Sequence, residues 1–577
     1  MKTNLRSLLI ELYGETAGLD ASVRLSIILD RYRDRIAPQI QSPLTERDTI
    51  LITYPDQVRE SQVPPLKTLE KLCRKYLTGL INSVHLLPFY PSSSDDGFSV
   101  VDYHAVNPDL GTWSDIHELG ASFRLMFDAV INHVSIRSEW FQSFLLDDPA
   151  YRDYFIVVEN DPDLSQIVRP RALPLLTRFD TNSGTKQVWT TFSADQVDLN
   201  YKNPAVLLEI IDILLLYAAQ GATLLRLDAI AYLWKEIGTS CIHLPQTHHV
   251  IQLIRAVLDE AAPHVMLITE TNVTHEENVS YFGNGKNGAQ LVYNFALPPL
   301  TLYTFYTGDA QRLSNWAKTL ILPSDKTTFF NFLASHDGIG LNPARGILSE
   351  DEIDLLVRKT IQHGGLVSYK RNADGMQSPY ELNINYFDAL SDPNGEEPLD
   401  LQVDRFMAAQ AIMLSLVGVP GIYFHSLFGS RGWMDGVIKT GHKRAINRKK
   451  LDRVRLENKL ADPSTLRCRV FDRYTQLLRA RNNCPAFHPQ DGQRILPCNR
   501  SIFALVRLTP TAEQRVLCIQ NISNQTQSLK IDFEDIFGLA SRGRWLSDLI
   551  TNERFTIRRK STFLLSPYRT LWLIREQ

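Results

Sequence analysis

The chain has 577 residues and a formal net charge of −3, and 44% of its residues are hydrophobic. This length and balance predict a globular protein with more than one domain. The densest basic run, residues 444–450, is interrupted by apolar and amide side chains, so we expect no nucleic-acid partner. No stretch approaches the roughly 18 apolar residues of a membrane span, so we expect no membrane partner either.

The cysteines and the N-terminus predict a cytoplasmic protein. None of the six cysteines forms a Cys-x-x-Cys pair, and their wide spacing favours reduced thiols over zinc ligands. Glu11 interrupts the apolar run Leu8-Leu9-Ile10, which argues against a signal peptide. We therefore expect a reducing compartment and no metal site.

Residues 1–45 are predicted to form a helical N-terminal extension. Apolar side chains recur there at helical spacing, at Leu5, Leu8, Leu9 and Leu12 and again at Val23, Leu25, Ile28 and Leu29. This pattern predicts helices that pack on the main body through one face.

Residues 46–487 are predicted to form an α/β domain, a (β/α)8 barrel of the TIM type. Eight apolar runs alternate with longer helical or irregular segments, at 49–54, 83–89, 124–131, 222–227, 265–269, 291–295, 328–334 and 419–424. Near-continuous apolar strands between helices are typical of a parallel sheet that is covered on both faces. Eight such units predict a closed barrel.

Two long connections and a change of pattern complete the predicted architecture. Residues 134–200 form an insertion after the third strand, like the domain B of some barrel enzymes, and residues 338–400 form a second insertion after the seventh. Residues 488–577 are predicted to form a C-terminal antiparallel β domain. Its predicted strands are residues 501–508, 515–522, 528–533 and 562–565.

Polar side chains follow most of the apolar runs, which predicts a site at one end of the barrel. These side chains are Asp56, Asp95, Asp96, Asn132, His133, Asp228, Glu270, His336, Asp337 and His425. In such barrels the active site lies at the C-terminal mouth, where the loops after the strands meet. Arg226 and Asp228 point to the same face of a strand. Taken alone, they are either a structural ion pair or a carboxylate held ionised for nucleophilic attack.

Four stretches resemble motifs of the alpha-amylase superfamily of retaining glycosidases and transglycosylases. They are Asp128-Ala-Val-Ile-Asn-His133, Arg226-Leu-Asp-Ala-Ile230, Glu270-Thr-Asn272 and Ser335-His-Asp337. Their order and their places on the predicted strands match the family, and the resemblance runs from about residue 48 to the C-terminus. It implies a barrel enzyme that transfers a glycosyl group with retention of configuration.

Within that superfamily the chain resembles the sucrose phosphorylase branch, through residues 85–90, 95–98, 235–241, 336–340 and 444–448. The closest resemblance is to the group of glucosylglycerate phosphorylases, through residues 169–176 and 332–343. Glu381 follows Tyr380, where sucrose phosphorylases typically have Gln. The resemblance implies phosphorolysis of 2-O-α-glucosyl-D-glycerate. The alternatives are phosphorolysis of sucrose or sucrose 6′-phosphate, hydrolysis or transglucosylation, and a non-catalytic amylase-like module.

The resemblance assigns catalytic roles to three carboxyl groups. Asp228 is expected to be the nucleophile, kept ionised because Arg226 lowers its pKa. Glu270 is expected to be the acid/base, with a pKa raised by neighbouring carboxylates. Asp337 is expected to bind sugar hydroxyls and favour the transition state. Retaining transfer places the first two carboxyl groups about 5 to 5.5 Å apart.

The resemblance also implies the binding residues. Asp95, His133, His336 and Arg444 are expected to hold the donor glucose, and Phe98 to form an apolar platform for it. Arg171 and Tyr380 are candidates for phosphate and the glycerate carboxylate, since Arg donates in pairs to such groups. The alternative for Arg171 is a solvated loop cation. We expect phosphate as a co-substrate, no cofactor, no metal, and a monomer or homodimer.

Overall fold

The computed structural model describes residues 3–37, 43–171, 173–371, 376–511, 513–537 and 544–575. Ala172 of the first insertion, residues 372–375 of the second, and parts of the two predicted terminal regions lie outside these ranges. Among the described residues, no helix is long and apolar enough to cross a bilayer.

Eight parallel strands close into a barrel, each pairing with its neighbours in chain order. They are β1 (Ile50–Thr53), β2 (Ser83–Leu86), β3 (Arg124–Ala129), β4 (Ala222–Leu227), β5 (Met266–Thr269), β6 (Leu291–Tyr293), β7 (Thr328–Asn331) and β8 (Val419–Tyr423). The strands are almost wholly buried, because helices cover the outside and side chains fill the inside. All eight lie within the predicted apolar runs, so the predicted barrel is confirmed.

The strand register brings the polar strand ends together. Asp128 of β3 lies opposite Arg226 of β4. Thr269 of β5 lies opposite Leu227, so Glu270 follows beside Asp228. The side chains of the predicted motifs therefore meet at one mouth because of pairing, not because of sequence proximity.

Helices surround the barrel between successive strands. They are Pro65–Leu77, Trp113–Gly120, Pro204–Ala219, Pro245–Ala261, His275–Val279, Leu297–Thr307, Gln311–Ala317, Glu350–Gln362, Tyr386–Leu390, Leu399–Ser415, Phe424–Leu427, Met434–Thr440, Arg453–Leu460 and Leu466–Asn482. Pro204–Ala219 is buried on almost every side, because the barrel covers one face and the N-terminal helices cover the other.

The N-terminal extension is a pair of helices, α1 (Thr3–Tyr13) and α2 (Glu15–Tyr32), that pack on the barrel helices. The Tyr13 hydroxyl donates to the Tyr201 carbonyl at 3.0 Å. Leu25 is fully buried, whereas Val23 is 63% exposed, so the prediction that Val23 shares the packed face is wrong. Residues that are two positions apart on a helix point in directions about 200° apart, so Val23 faces away from the contact that Leu25 makes.

The first insertion contains the helix Glu139–Leu145 and short antiparallel strands. His133–Ser135 pairs with Gln196–Asp198, and Leu176–Thr181 pairs with Gly184–Trp189. In the second insertion, Gln377–Asn383 lies between Ile339–Gly340 and Leu366–Arg371. Val58–Arg59 and Leu451–Asp452 form a further small pair.

The C-terminal region forms an antiparallel β domain, as predicted. Its six-stranded sheet runs in the order Gln493–Ile495, Ile502–Leu508, Arg515–Asn521, Thr570–Arg575, Arg544–Asp548 and Arg554–Ile557. Gln527–Asp532 pairs with Lys560–Leu565. The short helix Phe533–Phe537 directly follows Gln527–Asp532 in the sequence. A separate apolar cluster fills the space between these layers.

Candidate active site

One cavity at the C-terminal mouth of the barrel contains every residue to which the sequence analysis assigns a catalytic or binding role; Asp56, Asp96, Asn132 and His425 do not line it. The residues with an assigned role are Asp95, Phe98, His133, Arg171, Arg226, Asp228, Glu270, His336, Asp337, Tyr380 and Arg444. They come from strand ends and from both insertions. Their convergence favours a functional site over a set of unrelated ion pairs.

Arg226 lies at the base of the cavity between two carboxylates. Its Nη1 donates to Asp228 Oδ1 at 2.7 Å and also to Asp128. Burial raises the pKa of Asp228 to about 8; the charges of Glu270 and Asp128 add to this rise, and Arg226 opposes it. Arg226 lowers the pKa of Asp228 as predicted, but burial outweighs this effect, so Arg226 alone does not keep Asp228 ionised. The physical reason is that one guanidinium is shared by two buried carboxylates.

Asp228 and Glu270 form the central pair of the cavity. Burial raises the pKa of Glu270, with a further contribution from the Asp337 carboxylate. Glu270 Oε2 accepts a hydrogen bond from the Ala229 backbone N at 3.0 Å, and Ala229 has a left-handed backbone with φ of 49°. Interacting carboxyl groups titrate as a pair. Burial therefore favours a proton on the pair, and donation from Arg226 favours charge on Asp228.

Asp337 lies opposite this pair and is bound by cations. Arg444 Nη1 lies 2.6 Å and Arg448 Nη2 lies 3.2 Å from Asp337 Oδ1. Burial alone would raise the pKa of Asp337, but Arg444, His336 and Arg448 hold it well below its usual range. Asp337 is therefore an ionised acceptor.

An aromatic surface and two histidines form the predicted donor side. The Phe98 ring stacks on His336 with centroids 4.9 Å apart and planes 3° apart. His133 Nε2 lies 2.9 Å from the Phe98 carbonyl and 3.1 Å from Gln196 Nε2. Burial lowers the pKa of His336 to about 3, so its ring is neutral. Neutral imidazoles suit hydroxyl groups better than anions.

Asp95 lies beside these rings in an unusual backbone conformation. Asp95 and Asp96 have φ values of 51° and 49°, in the left-handed region. A Cβ at the following Gly97 would lie 2.8 Å from the Pro88 carbonyl oxygen, so this turn requires glycine there. Such conformations concentrate at functional sites, because the surrounding structure must hold them in place.

Arg171 reaches the cavity from the first insertion. Its Nη2 lies 3.2 Å from Asp95 Oδ2, and its guanidinium lies 5.7 Å from the centre of the Phe192 ring. The segment that carries it docks on the loop after β4, where Val168 N donates to the Ser240 carbonyl at 3.0 Å. Arg171 is thus part of the cavity and is paired with the Asp95 carboxylate.

Tyr380 reaches the cavity from the second insertion. The register between Leu366–Arg371 and Gln377–Asn383 shifts once, which leaves Tyr380 as the extra residue of a β-bulge. Bulges redirect side chains next to functional sites. Asn272 Nδ2 lies 3.4 Å from the Tyr380 hydroxyl, so the bulge places Tyr380 near the Glu270-Thr-Asn272 motif.

Several residues of this network were not predicted as site residues. They are His85, Asp128, Gln196, Asn272, Glu381 and Arg448. Asp128, Asn272 and Arg448 lie within the sequence motifs quoted above, so these motifs could have identified them as site residues. Gln196 and Glu381 lie in the insertions, where only the folded register brings them to the mouth.

Comparisons with known proteins agree with this geometry. The model of the alpha-amylase catalytic domain matches residues 68–338. A glucosylglycerate phosphorylase of Allomeiothermus silvanus is 52% identical over 530 residues, covering 92% of this chain and 91% of the relative. A glucosylglycerate phosphorylase of Escherichia coli K12 is 43% identical, covering 99% of this chain and 100% of the relative.

A solved structure gives the same result at the level of the fold. Sucrose 6F-phosphate phosphorylase from Thermoanaerobacter thermosaccharolyticum has a TM-score of 0.74 and 25% identity, covering 90% of this chain and 100% of that one. The high identity over nearly whole chains and the shared barrel both place this chain in a known family. The chain belongs to the alpha-amylase family, among relatives that are glycoside phosphorylases.

Proposed function

We propose that the chain is a glucosylglycerate phosphorylase. It converts 2-O-α-glucosyl-D-glycerate and phosphate to α-D-glucose 1-phosphate and D-glycerate. The observation that carries the proposal is the 52% identity to a glucosylglycerate phosphorylase over nine tenths of both chains. The cavity supports it, because it joins a buried carboxyl pair to a cationic loop.

In the first step the Asp228 carboxylate attacks C1 of the glucosyl group. The bond from C1 to the glycerate oxygen breaks, and Glu270 gives its proton to that oxygen. The products are D-glycerate and a β-glucosyl ester of Asp228. The raised pKa of Glu270 supports its role as the proton donor.

In the second step a phosphate oxygen attacks C1 from the face that glycerate left. The ester bond to Asp228 breaks, and Glu270 takes the proton of the attacking phosphate oxygen. Two inversions give overall retention, so the product is the α-anomer. Asp337 and the neutral rings of His336 and Phe98 contact the sugar during both steps.

The acceptor side is assigned to Arg171 and Tyr380. Arg171 is 30% exposed at the side chain and contacts the cavity, which supports a role with the phosphate and glycerate anions. Its contact with Asp95 must loosen or be shared when an anion binds. Phosphate is then a co-substrate, and we propose that no cofactor or metal takes part.

The proposed setting of the enzyme is the cytoplasm, as a monomer or homodimer. All six cysteines are described, and all six are unpaired thiols, which suits a reducing compartment. Light scattering of the purified chain distinguishes the two assembly states.

The experiment that tests the function combines the purified enzyme with glucosylglycerate or sucrose, each with and without phosphate. We expect α-glucose 1-phosphate from glucosylglycerate only when phosphate is present, detected by phosphorus NMR. Release of free glucose at the same rate without phosphate would contradict a phosphorylase. Activity on sucrose or sucrose 6′-phosphate but not on glucosylglycerate would assign the enzyme to those substrates instead.

A further inference from the structure

Glu381 lies at the cavity mouth and holds Arg444 from one side. Its Oε2 accepts from Arg444 Nη2 at 2.6 Å, and its Oε1 accepts from Arg444 Nε at 3.1 Å. The Glu381 side chain is 3% exposed. A two-point contact of this kind fixes the plane of a guanidinium as well as its position.

The backbone packs closely against Glu381. Gly338 N donates to Glu381 Oε1 at 3.3 Å. A Cβ at Gly338 would lie 2.6 Å from the Glu381 Cγ, so a larger residue there would displace the carboxylate. Since Gly338 directly follows Asp337, the same turn sets both acidic neighbours of Arg444.

Arg444 is therefore held between two carboxylates. Its Nη1 lies 2.6 Å from Asp337 Oδ1, opposite the contacts with Glu381. A guanidinium has five N–H donors. Two of them contact Glu381 and one contacts Asp337, which leaves two donors for a ligand but offsets the positive charge.

Arg171 is placed differently at the same mouth. Its guanidinium contacts one carboxylate among the described residues, that of Asp95 at 3.2 Å. Arg226, like Arg444, lies between two carboxylates. The cationic side chains of the cavity thus differ in how far their charge is offset, and Arg171 keeps the most attraction for an anion.

We propose that Glu381 is a specificity-determining positioning residue. It orients Arg444 for neutral sugar hydroxyls and offsets its charge, so that an oxyanion binds at Arg171 and not in the donor subsite. The inference rests on the proposed function, because that function assigns the donor sugar to Arg444. It extends that function by explaining how a site rich in arginine keeps phosphate out of the glucose position.

The test measures binding of inorganic sulfate, an unreactive analogue of phosphate, by calorimetry on the full chain. Glu381→Gln keeps the shape of the side chain and removes its charge, so sulfate affinity rises on the order of tenfold. Sulfate also becomes a competitive inhibitor against α-glucosyl fluoride, a donor that has no glycerate group and therefore occupies only the glucose position. Glu381→Asp keeps the charge but shortens the side chain, so sulfate affinity stays near wild type while the donor KM rises.

Other outcomes overturn the proposal. A merely structural Glu381 would lower thermal stability in both variants and leave sulfate affinity unchanged. If Glu381→Gln does not fold, Arg171→Gln decides: sulfate binding that survives this change at the wild-type level contradicts the assignment of anions to Arg171. Sulfate binding needs no turnover, so the comparison remains valid even if the enzyme proves not to be a phosphorylase.

Discussion

At the scale of single residues, the central feature is a buried carboxyl pair whose charge depends on shared neighbours. Arg226 stabilises both Asp128 and Asp228, so burial still raises the pKa of Asp228 to about 8. The opposing groups make the pair hold one proton, which is what a nucleophile and an acid need at the same pH.

Asp228→Asn is expected to lower kcat by roughly 10⁴-fold or more, because it removes the nucleophile. It is expected to keep the fold. Between the ordinary pKa of Asp and about 8, folded wild type holds a proton that the unfolded chain releases, so its stability falls as the pH rises. The thermal midpoint of Asp228→Asn is therefore at or above that of wild type at pH 8. Phosphorolysis at the wild-type rate would exclude Asp228 as the nucleophile.

The pH dependence of kcat/KM reports the same pair in the free enzyme. Loss of its last proton removes the acid, so kcat/KM is expected to fall on the basic side, at a pH above the ordinary range of a Glu because burial raises the pKa of Glu270. Binding of a second proton removes the nucleophile, which gives a falling limb on the acid side. Fluoride leaves α-glucosyl fluoride without needing a proton. The pH profile measured with this substrate is therefore expected to lack the basic limb. A profile with no basic limb for glucosylglycerate would contradict this assignment.

Much of the site could be predicted because its main residues follow apolar strands. Asp228 and Glu270 directly follow strands and Asp337 lies in the loop after β7, so the barrel geometry brings them to one mouth. Glu381 and Arg448 could not be placed in this way, since their contacts depend on how the second insertion and the segment after β8 fold back. The raised pKa of Asp228 also depends on burial and on the sharing of Arg226, neither of which a motif contains.

At the scale of elements, a buried ammonium group joins the first insertion to the barrel. Lys235 Nζ lies 2.6 Å from Asp198 Oδ2 and donates to Asn132 Oδ1 at 2.8 Å. Asn132 follows β3, Lys235 follows β4, and Asp198 ends a strand of the insertion. Asp198 also accepts from the Thr191 backbone N at 2.7 Å. This cluster holds the insertion on the strand that precedes His133.

Lys235→Met is expected to lower the free energy of unfolding by about 3–5 kcal/mol, because it leaves the Asp198 carboxylate buried without its cation. Thermal unfolding of the variant measures the loss. The double variant Lys235→Met/Asp198→Asn removes both charges and is expected to be more stable than Lys235→Met alone. Equal thermal midpoints for Lys235→Met and wild type would show that the cluster contributes little.

At the scale of the whole molecule, the barrel strands and the N-terminal helices could be predicted from sequence patterns, whereas the folding of the insertions could not. The eight buried strands follow from apolar runs of the right length, and α1 and α2 follow from helical spacing. The nearly continuous apolar sequence of Pro204–Ala219 is typical of a helix that is buried on more than one face, but it does not identify α2 as the partner on the outer face. The insertions bring Arg171 and Tyr380 to the mouth through a docked loop and a bulge, which have no periodic signal.

The most direct test of the double displacement is to trap the glucosyl group on the chain. The variant Glu270→Gln is incubated with α-glucosyl fluoride, which can transfer its glucosyl group to Asp228 without an acid. Because the variant lacks the Glu270 base, the resulting ester is not released. Peptide mass spectrometry is expected to find one glucosyl residue on Asp228, and azide, a nucleophile that needs no base, is expected to discharge it. A glucosyl group on any other residue, or product formation with no covalent label at any time, would contradict the account.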